Sequence, residues 1–290
     1  MSKYIQIFIQ SFKDYFNYLS SELLHPSWHN YFYWLLGLSL FVWLLEIIIP
    51  WRKNQAIVRK DFWLDGFYMF FNFFLFSLIG FNAVSNVFVN LFNDFIALFG
   101  LKNIVAIEIS SWPAWAQFAT LFLVADFIQW NVHRMLHFVP WMWEFHKVHH
   151  SVEQMGFAAH LRFHWMENII YKSIQYIPLA MIGFGLQDFF IVHIIALLIG
   201  HLNHANLNIS YGPFRYILNN PKMHIWHHAK ELPGHPYGAN YGISLSIWDY
   251  LFKTVYMPSS GRDIQLGFDK VEEFPHTFIS QSLHGFKKPH

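Results

Sequence analysis

Between Tyr31 and Pro50 the chain reads YFYWLLGLSLFVWLLEIIIP, with Glu46 as its single charge. As a helix rising about 1.5 Å per residue, this run is long enough to cross a hydrocarbon core of roughly 30 Å. A chain in lipid must satisfy its backbone internally, so it spans as helices or as a closed barrel. Phe67 to Phe81 continues the pattern, and the apolar character runs on with interruptions towards Phe99. Trp112 to Trp130 forms a third candidate, with tryptophan at both ends as in an interfacial belt. Ile169 to Gly183 and Phe189 to Gly200 are two shorter runs separated by Gly183-Phe184-Gly185, so a hairpin dipping into the bilayer competes with two crossings. The expectation is an all-α, multi-pass membrane helical bundle with four or five membrane helices and a cytoplasmic helical cap. A soluble all-helical protein is the minor alternative.

Composition narrows the function classes. Only 13% of the 290 residues are charged and 54% are hydrophobic, which excludes a disordered chain. Lys+Arg is 19 against Asp+Glu of 18, so the basic surplus that nucleic-acid binding requires is missing. Cys is 0, which removes disulfides, thiolate metal sites and cysteine nucleophiles. The first thirty residues carry Lys3, Lys13, Asp14 and Glu22 and no long apolar core, so they read as an amphipathic surface helix and not as a cleavable signal. Arg52, Lys53, Arg59 and Lys60 follow the first span, whereas Lys102 stands alone between the second and third. By the positive-inside rule the first cluster is cytoplasmic. Counting crossings then puts the segments after Trp130 and after His204 on the same side, together with a tail holding Arg215, Lys222, Lys230, Lys253, Arg262, Lys270, Lys287 and Lys288.

The histidines number 19, as many as all Lys and Arg together, and thirteen of them lie between His133 and His228. They form His133-x-x-x-His137, then His146-x-x-His149-His150, then His224-x-x-His227-His228. On a helix, residues i, i+3 and i+4 share a face, so each box presents two or three imidazoles together. Neutral imidazole is the commonest metal ligand near pH 7, and eight exceed what one ion can use, so the set suits two metals. An all-nitrogen donor set fits iron, copper, zinc or nickel better than calcium or magnesium. His201 and His204 arrive at the same membrane face from the last apolar run. His193 reads as a core residue, and His25, His29, His276, His284 and His290 as solvated. Phe138, Trp141, Trp143, Phe145, Phe157, Phe163 and Trp165 either line a lipid pocket or anchor the interface.

The three boxes and the text around them resemble the fatty acid hydroxylase/sterol desaturase superfamily of integral-membrane di-iron enzymes. Asp126-Phe-Ile-Gln-Trp-Asn-Val-His133 is similar to the family's entry into its first box. Leu161-Arg162-Phe-His164-Trp165-Met-Glu167 is similar to its RxHPxE segment, with Trp165 where Pro is usual, and Asn203-His204-Ala-Asn206 to its NHxN segment. Asn240-Tyr-Gly242, Trp248-Asp249, Phe252 and Tyr256 resemble its closing pattern. The resemblance implies a unit over 126–258, preceded by an amphipathic segment and membrane helices over 1–125 and followed by a cytoplasmic tail over 259–290. It implies two non-haem irons that activate O2 to oxidise a C–H bond of a membrane lipid, by hydroxylation or by desaturation. The implied ligands are His133, His137, His146, His149, His150, His224, His227 and His228, with His204 as a ninth. His164 is an undecided ligand, and Arg162, Glu167, Asn206 and Asp249 are candidates for orienting the imidazoles. Electrons are expected from a separate donor of cytochrome b5, ferredoxin or pterin type, because no cytochrome b5-like region precedes the spans. A membrane zinc hydrolase would carry HExxH, which is absent. A metal transporter or store would place ligands near the midplane or in a His-rich loop.

Overall fold

The computed structural model describes residues 2–184 and 189–286. Gly185 of the expected hairpin and the tail residues Lys287, Lys288 and His290 lie outside the described residues. Every regular element among the described residues is helical, and extended pairing is confined to the isolated bridges Pro50–Leu207, Leu218–Leu245 and Ala229–Leu266. In chain order the helices are α1 (Lys3–Leu24), α2 (Tyr31–Ile48), α3 (Phe62–Phe70), α4 (Asn82–Ala97), α5 (Ala114–Phe138), α6 (Pro140–His150), α7 (Trp165–Met181) and α8 (Phe189–His204). Short helices α9 (Pro221–His227), α10 (Ile247–Phe252) and α11 (Phe278–Ser282) follow.

The apolar runs become helices with little of their surface covered. On α2 only Leu35, Ser39 and Val42 are buried, a stripe at helical spacing that faces α8. Leu40, Leu44 and Ile48 on the other faces are 58%, 53% and 64% exposed. A helix apolar all round with one narrow covered stripe needs an apolar surrounding. The second run is one broken helix from Phe62 to Ala97, in which α3 and α4 are joined through π turns at Phe71–Leu75 and Ser77–Phe81. It bends at Gly80, whose φ of 145° is open to glycine and strained for any residue with a Cβ. Beyond the bend α4 packs on α1, and Asp94 takes both Lys3 Nζ and Tyr4 Oη. By length and apolarity α2 and the helix of residues 62–97 can cross a membrane. The third expected span lies on α5, which is long enough but is interrupted by Gln117, Asp126, Gln129 and Asn131.

Two buried carboxylates fix the polar end of the bundle. Asp126 on α5 accepts from the Ser244 N–H at 3.0 Å and Trp248 Nε1–H at 2.8 Å. Asp249 on α10 accepts from Trp130 Nε1–H at 3.0 Å and from the N–H groups of Tyr241 and Gly242 at 2.9 and 2.7 Å. Together they clamp residues 240–249 across α5, beside the first histidine box. Pro140 at the first position of α6 starts that helix directly after α5, so His133 and His137 face the second box. The last turn of α8 meets α9 and brings His204 to the third box.

Candidate metal centre

The boxes converge into two adjoining groups. His133, His137, His146, His150 and His227 have ligand nitrogens within 4.8 Å of one another, and so do His149, His204, His224 and His228. Helix phase explains why the second box splits. Steps of about 100° per residue set His146 and His150 on one line and turn His149 aside, so α6 serves both groups. The third box splits the same way: His224 and His228 go to the second group, and His227 goes to the first.

The backbone fixes the tautomers. A carbonyl only accepts, so a ring nitrogen bonded to one carries the proton. Nδ1–H of His133 donates to the Tyr241 carbonyl at 2.8 Å, that of His227 to Ala239 at 2.9 Å, that of His149 to Arg162 at 3.0 Å, and that of His204 to Gly200 at 2.8 Å. Nε2 of each ring is then a bare lone pair. His149 and His204 point theirs at each other across 3.3 Å, with His224 Nε2 at 3.0 Å from His204. Two facing lone pairs at this distance repel, and a cation between them turns repulsion into ligation. Metal–nitrogen bonds of about 2.0–2.1 Å at tetrahedral or octahedral angles put neighbouring nitrogens about 2.9–3.4 Å apart. The observed Nε2 pairs, His133–His146 and His150–His227 at 3.1 Å and His224–His228 at 3.2 Å, fall in that range. His137 Nε2 is buried among these rings with no hydrogen-bond partner. His224 Nδ1 meets the Asn219 amide at 3.4 Å.

Electrostatics agree with the geometry. Burial pushes all nine imidazoles below their ordinary range, His133 to about 4 and His149 to about 3, so they stand neutral at pH 7 in the form that binds metal. Glu167 Oε2 lies 2.9 Å from His146 Nδ1, and both side chains are 3% exposed. Burial pushes the Glu167 carboxyl well up, and a cation held on the far side of His146 would favour its ionised form.

Residues 118–254 match the family described as fatty acid hydroxylase. Over this region the chain is similar to the fatty acid hydroxylase superfamily. An ornithine lipid hydroxylase of Rhizobium tropici is 32% identical over 156 residues, 54% of this chain and 46% of that protein. The human alkylglycerol monooxygenase is 36% identical over 135 residues, 46% of this chain and 29% of its own. A rice very-long-chain aldehyde decarbonylase is 27% identical over 143 residues, 48% of this chain and 46% of that protein. The chain thus spans less than half the length of these curated relatives. No solved structure matches it.

The other expected residues have distinct places. His164 is a helix cap: Nδ1 accepts the Met166 N–H at 3.0 Å and Nε2–H donates to the Ser282 carbonyl at 2.9 Å, so neither nitrogen faces the imidazole groups. Glu167 completes that cap, accepting the His164 N–H at 3.2 Å. Arg162 offers its carbonyl to His149 while its guanidinium ties Asp61, Asp65 and Ser151. Asp249 holds the Tyr241 N–H, and the Tyr241 carbonyl orients His133. The hydrogen bonds of Asn206 go to neither group; they join the end of α8 to Glu46 and Arg52. Trp143 packs its ring 5.0 Å from His137, whereas Phe138 and Trp141 are each 58% exposed. His193 is exposed on α8 and not in the core; it lines a cleft with Phe122, Gln129, Gln175 and Ser244. Among the residues expected to be solvated, His25, His29 and His276 are exposed, while His284 meets Glu144 at 3.1 Å. His160 escaped the spacing argument altogether; it lies between boxes on a 3₁₀ turn over Phe157–Leu161.

Proposed function

We propose that the protein is an integral-membrane, O2-dependent di-iron hydroxylase acting on a C–H bond of a membrane lipid. The observation that carries the reading is the pair of adjoining imidazole groups, with bare Nε2 atoms aimed at one another from rings whose Nδ1 protons are held by carbonyls. His133, His137, His146, His150 and His227 would hold one iron, and His149, His204, His224 and His228 the other. Iron bound there would supply the redox chemistry that activates O2, which zinc lacks. The protein's own work is orientation and exclusion. Carbonyls of Tyr241, Arg162, Gly200 and Ala239 fix four rings, Glu167 fixes His146, and burial keeps bulk water from the imidazoles. The balanced reaction is R–H + O2 + 2 e⁻ + 2 H⁺ giving R–OH and H2O. The electrons come from a separate donor of cytochrome b5, ferredoxin or pterin type.

A lipid substrate is supported by the relatives, named for ornithine lipid and alkylglycerol, and by apolar helices that end beside the boxes. The reading includes four or five membrane helices, a di-iron unit over 126–258, and boxes and C-terminus on the cytoplasmic side. Desaturation is the second reading, because it shares the first hydrogen abstraction and asks nothing different of the ligands. Lipidomics of cells with and without the protein tests the proposal. A lipid shifted by roughly +16 mass units supports hydroxylation and one shifted by about −2 supports desaturation. An unchanged lipidome together with stoichiometric zinc after anaerobic iron reconstitution overturns both.

A further inference from the structure

Glu46 is the single charge of the first apolar run, and neither imidazole group uses it. An ionisable side chain in a span is costly there and calls for a partner. Its Oε1 accepts the Asn206 N–H at 2.6 Å and the Phe157 N–H at 3.0 Å, whereas its Oε2 takes no hydrogen bond. Glu46 lines a cavity of about 200 Å3 together with Trp43, Lys53, Gln55, Arg59 and Phe62. One water needs roughly 10–15 Å3, so a polyatomic group fits. Two further polar atoms of the lining residues are unspent. Trp43 Nε1–H is buried without an acceptor. Of the four cations that follow α2, Arg52 donates to Gln55 and the Met155 carbonyl, Arg59 pairs with Asp65, and Lys60 pairs with Glu153. Lys53 is exposed, and its Nζ makes no hydrogen bond or ion pair among the described residues. Ile47 and Ile57 line the same cavity and are exposed, so apolar surface adjoins it.

Resting on the integral-membrane reading and not on the metals, we propose that this cavity seats the headgroup of one phospholipid carrying a primary ammonium beside its phosphate. The ammonium meets Glu46 Oε2, and the phosphate meets Lys53 Nζ. The acyl chains lie along Leu40, Leu44 and Ile47, which are exposed at helical spacing on α2. Charge complementarity selects this headgroup. The wall offers one unspent carboxylate oxygen and one unspent cation, so an anionic headgroup would leave Glu46 opposed and without a donor. A quaternary ammonium has no N–H to give Oε2, whereas a primary ammonium has three. Basic residues just beyond the end of a span are the usual place for a lipid phosphate.

The test reads lipid binding and not turnover. The full-length protein is purified in detergent, stripped of lipid and mixed with equal amounts of phosphatidylethanolamine, phosphatidylcholine and phosphatidylglycerol. Native mass spectrometry then counts the lipids that stay bound. The parent is expected to retain one phosphatidylethanolamine, favoured at least about tenfold over either competitor. Glu46→Gln keeps an oxygen for the Asn206 and Phe157 N–H groups but sets an NH2 where Oε2 stood, and should abolish that preference. Lys53→Gln changes an exposed side chain and should weaken retention about tenfold, which covers failure of the Glu46 variant to fold. No preference in the parent, or a preference unchanged in both variants, overturns the inference. Free phosphoethanolamine retained as tightly as the lipid also overturns it, because the site would then take a soluble ligand. None of these outcomes involves a metal, so the di-iron reading stands in each. A parent that stays dispersed without detergent overturns the membrane reading as well.

Discussion

Removing the Glu167 carboxylate should weaken one metal centre and leave its neighbour intact. Glu167 Oε2 takes the His146 Nδ1 proton at 2.9 Å, with both groups 3% exposed, so no water replaces the lost partner. A buried hydrogen bond to a charged group contributes about 1.5–3 kcal/mol, which converts to roughly 10–100-fold in affinity. Outer partners of ligating histidines span the same range. Iron at the group of His133, His137, His146, His150 and His227 should therefore bind about 10–100-fold more weakly in Glu167→Ala. The other group should be unaffected, because neither Glu167 oxygen bonds to His149, His204, His224 or His228. Glu167 also accepts the His164 N–H at the start of α7, and losing that cap costs about 1 kcal/mol of stability. Glu167→Gln separates the two effects. Its carbonyl can still serve the His164 N–H, but its NH2 then faces His146 and opposes the ligand tautomer. Anaerobic chelator competition measures the affinities, and thermal unfolding measures the cap. Parent affinity in Glu167→Gln, or equal weakening of both centres, would refute the reasoning.

Asp249→Ala leaves the Trp130 indole N–H and the Tyr241 and Gly242 N–H groups buried without an acceptor, and should destabilise the protein by at least about 2 kcal/mol in chemical unfolding; a change within about 0.5 kcal/mol of the parent counts against the clamp. Acid should destabilise the metal-free protein. His133 and His149 have an ordinary pKa of 6.5, and burial holds them at about 4 and about 3 in the fold. The unfolded chain therefore binds protons that the folded chain refuses, and stability is full above pH 6.5 and drains as pH falls towards 4. Between pH 6.5 and 5 each contributes a loss of about 2 kcal/mol, and a flat denaturation midpoint over that interval would contradict the burial argument. A reporter fused after residue 286 should be active only in the cytoplasm, given the clustered Lys and Arg of the tail; activity solely on the opposite face would invert the topology and move the metal site with it.

The imidazole set was legible because helix periodicity does the assembly. HxxxH and HxxHH put their side chains on one face before any tertiary contact forms, and α5, α6 and α9 are the helices that carry them. Their partition was not legible. Helix phase turns His149 away from His146 and His150, but which imidazoles of the other boxes each side meets depends on tertiary packing. His164 sits in a motif yet serves as a helix cap, because HxxE at a helix start can satisfy backbone N–H groups as well as a metal. His160 has no spacing relation to any box and reaches its place only through packing of the 3₁₀ turn on α8. The second apolar run could be read as a span, but its bend at Gly80 could not, since a glycine within such a run is compatible with either a straight or a broken helix.

The measurement closest to the central claim is oxygen-18 labelling of the lipid product. Purified protein is loaded with iron, supplied with reductant and a membrane lipid extract, and run in parallel under 18O2 and in H2 18O. The account predicts a hydroxylated lipid whose new oxygen derives from O2 and never from water. A product that gains a double bond and no label would leave the metal centre standing and replace hydroxylation with desaturation. Label arriving only from water would contradict the account outright, because the protein would then be a hydrolase or hydratase.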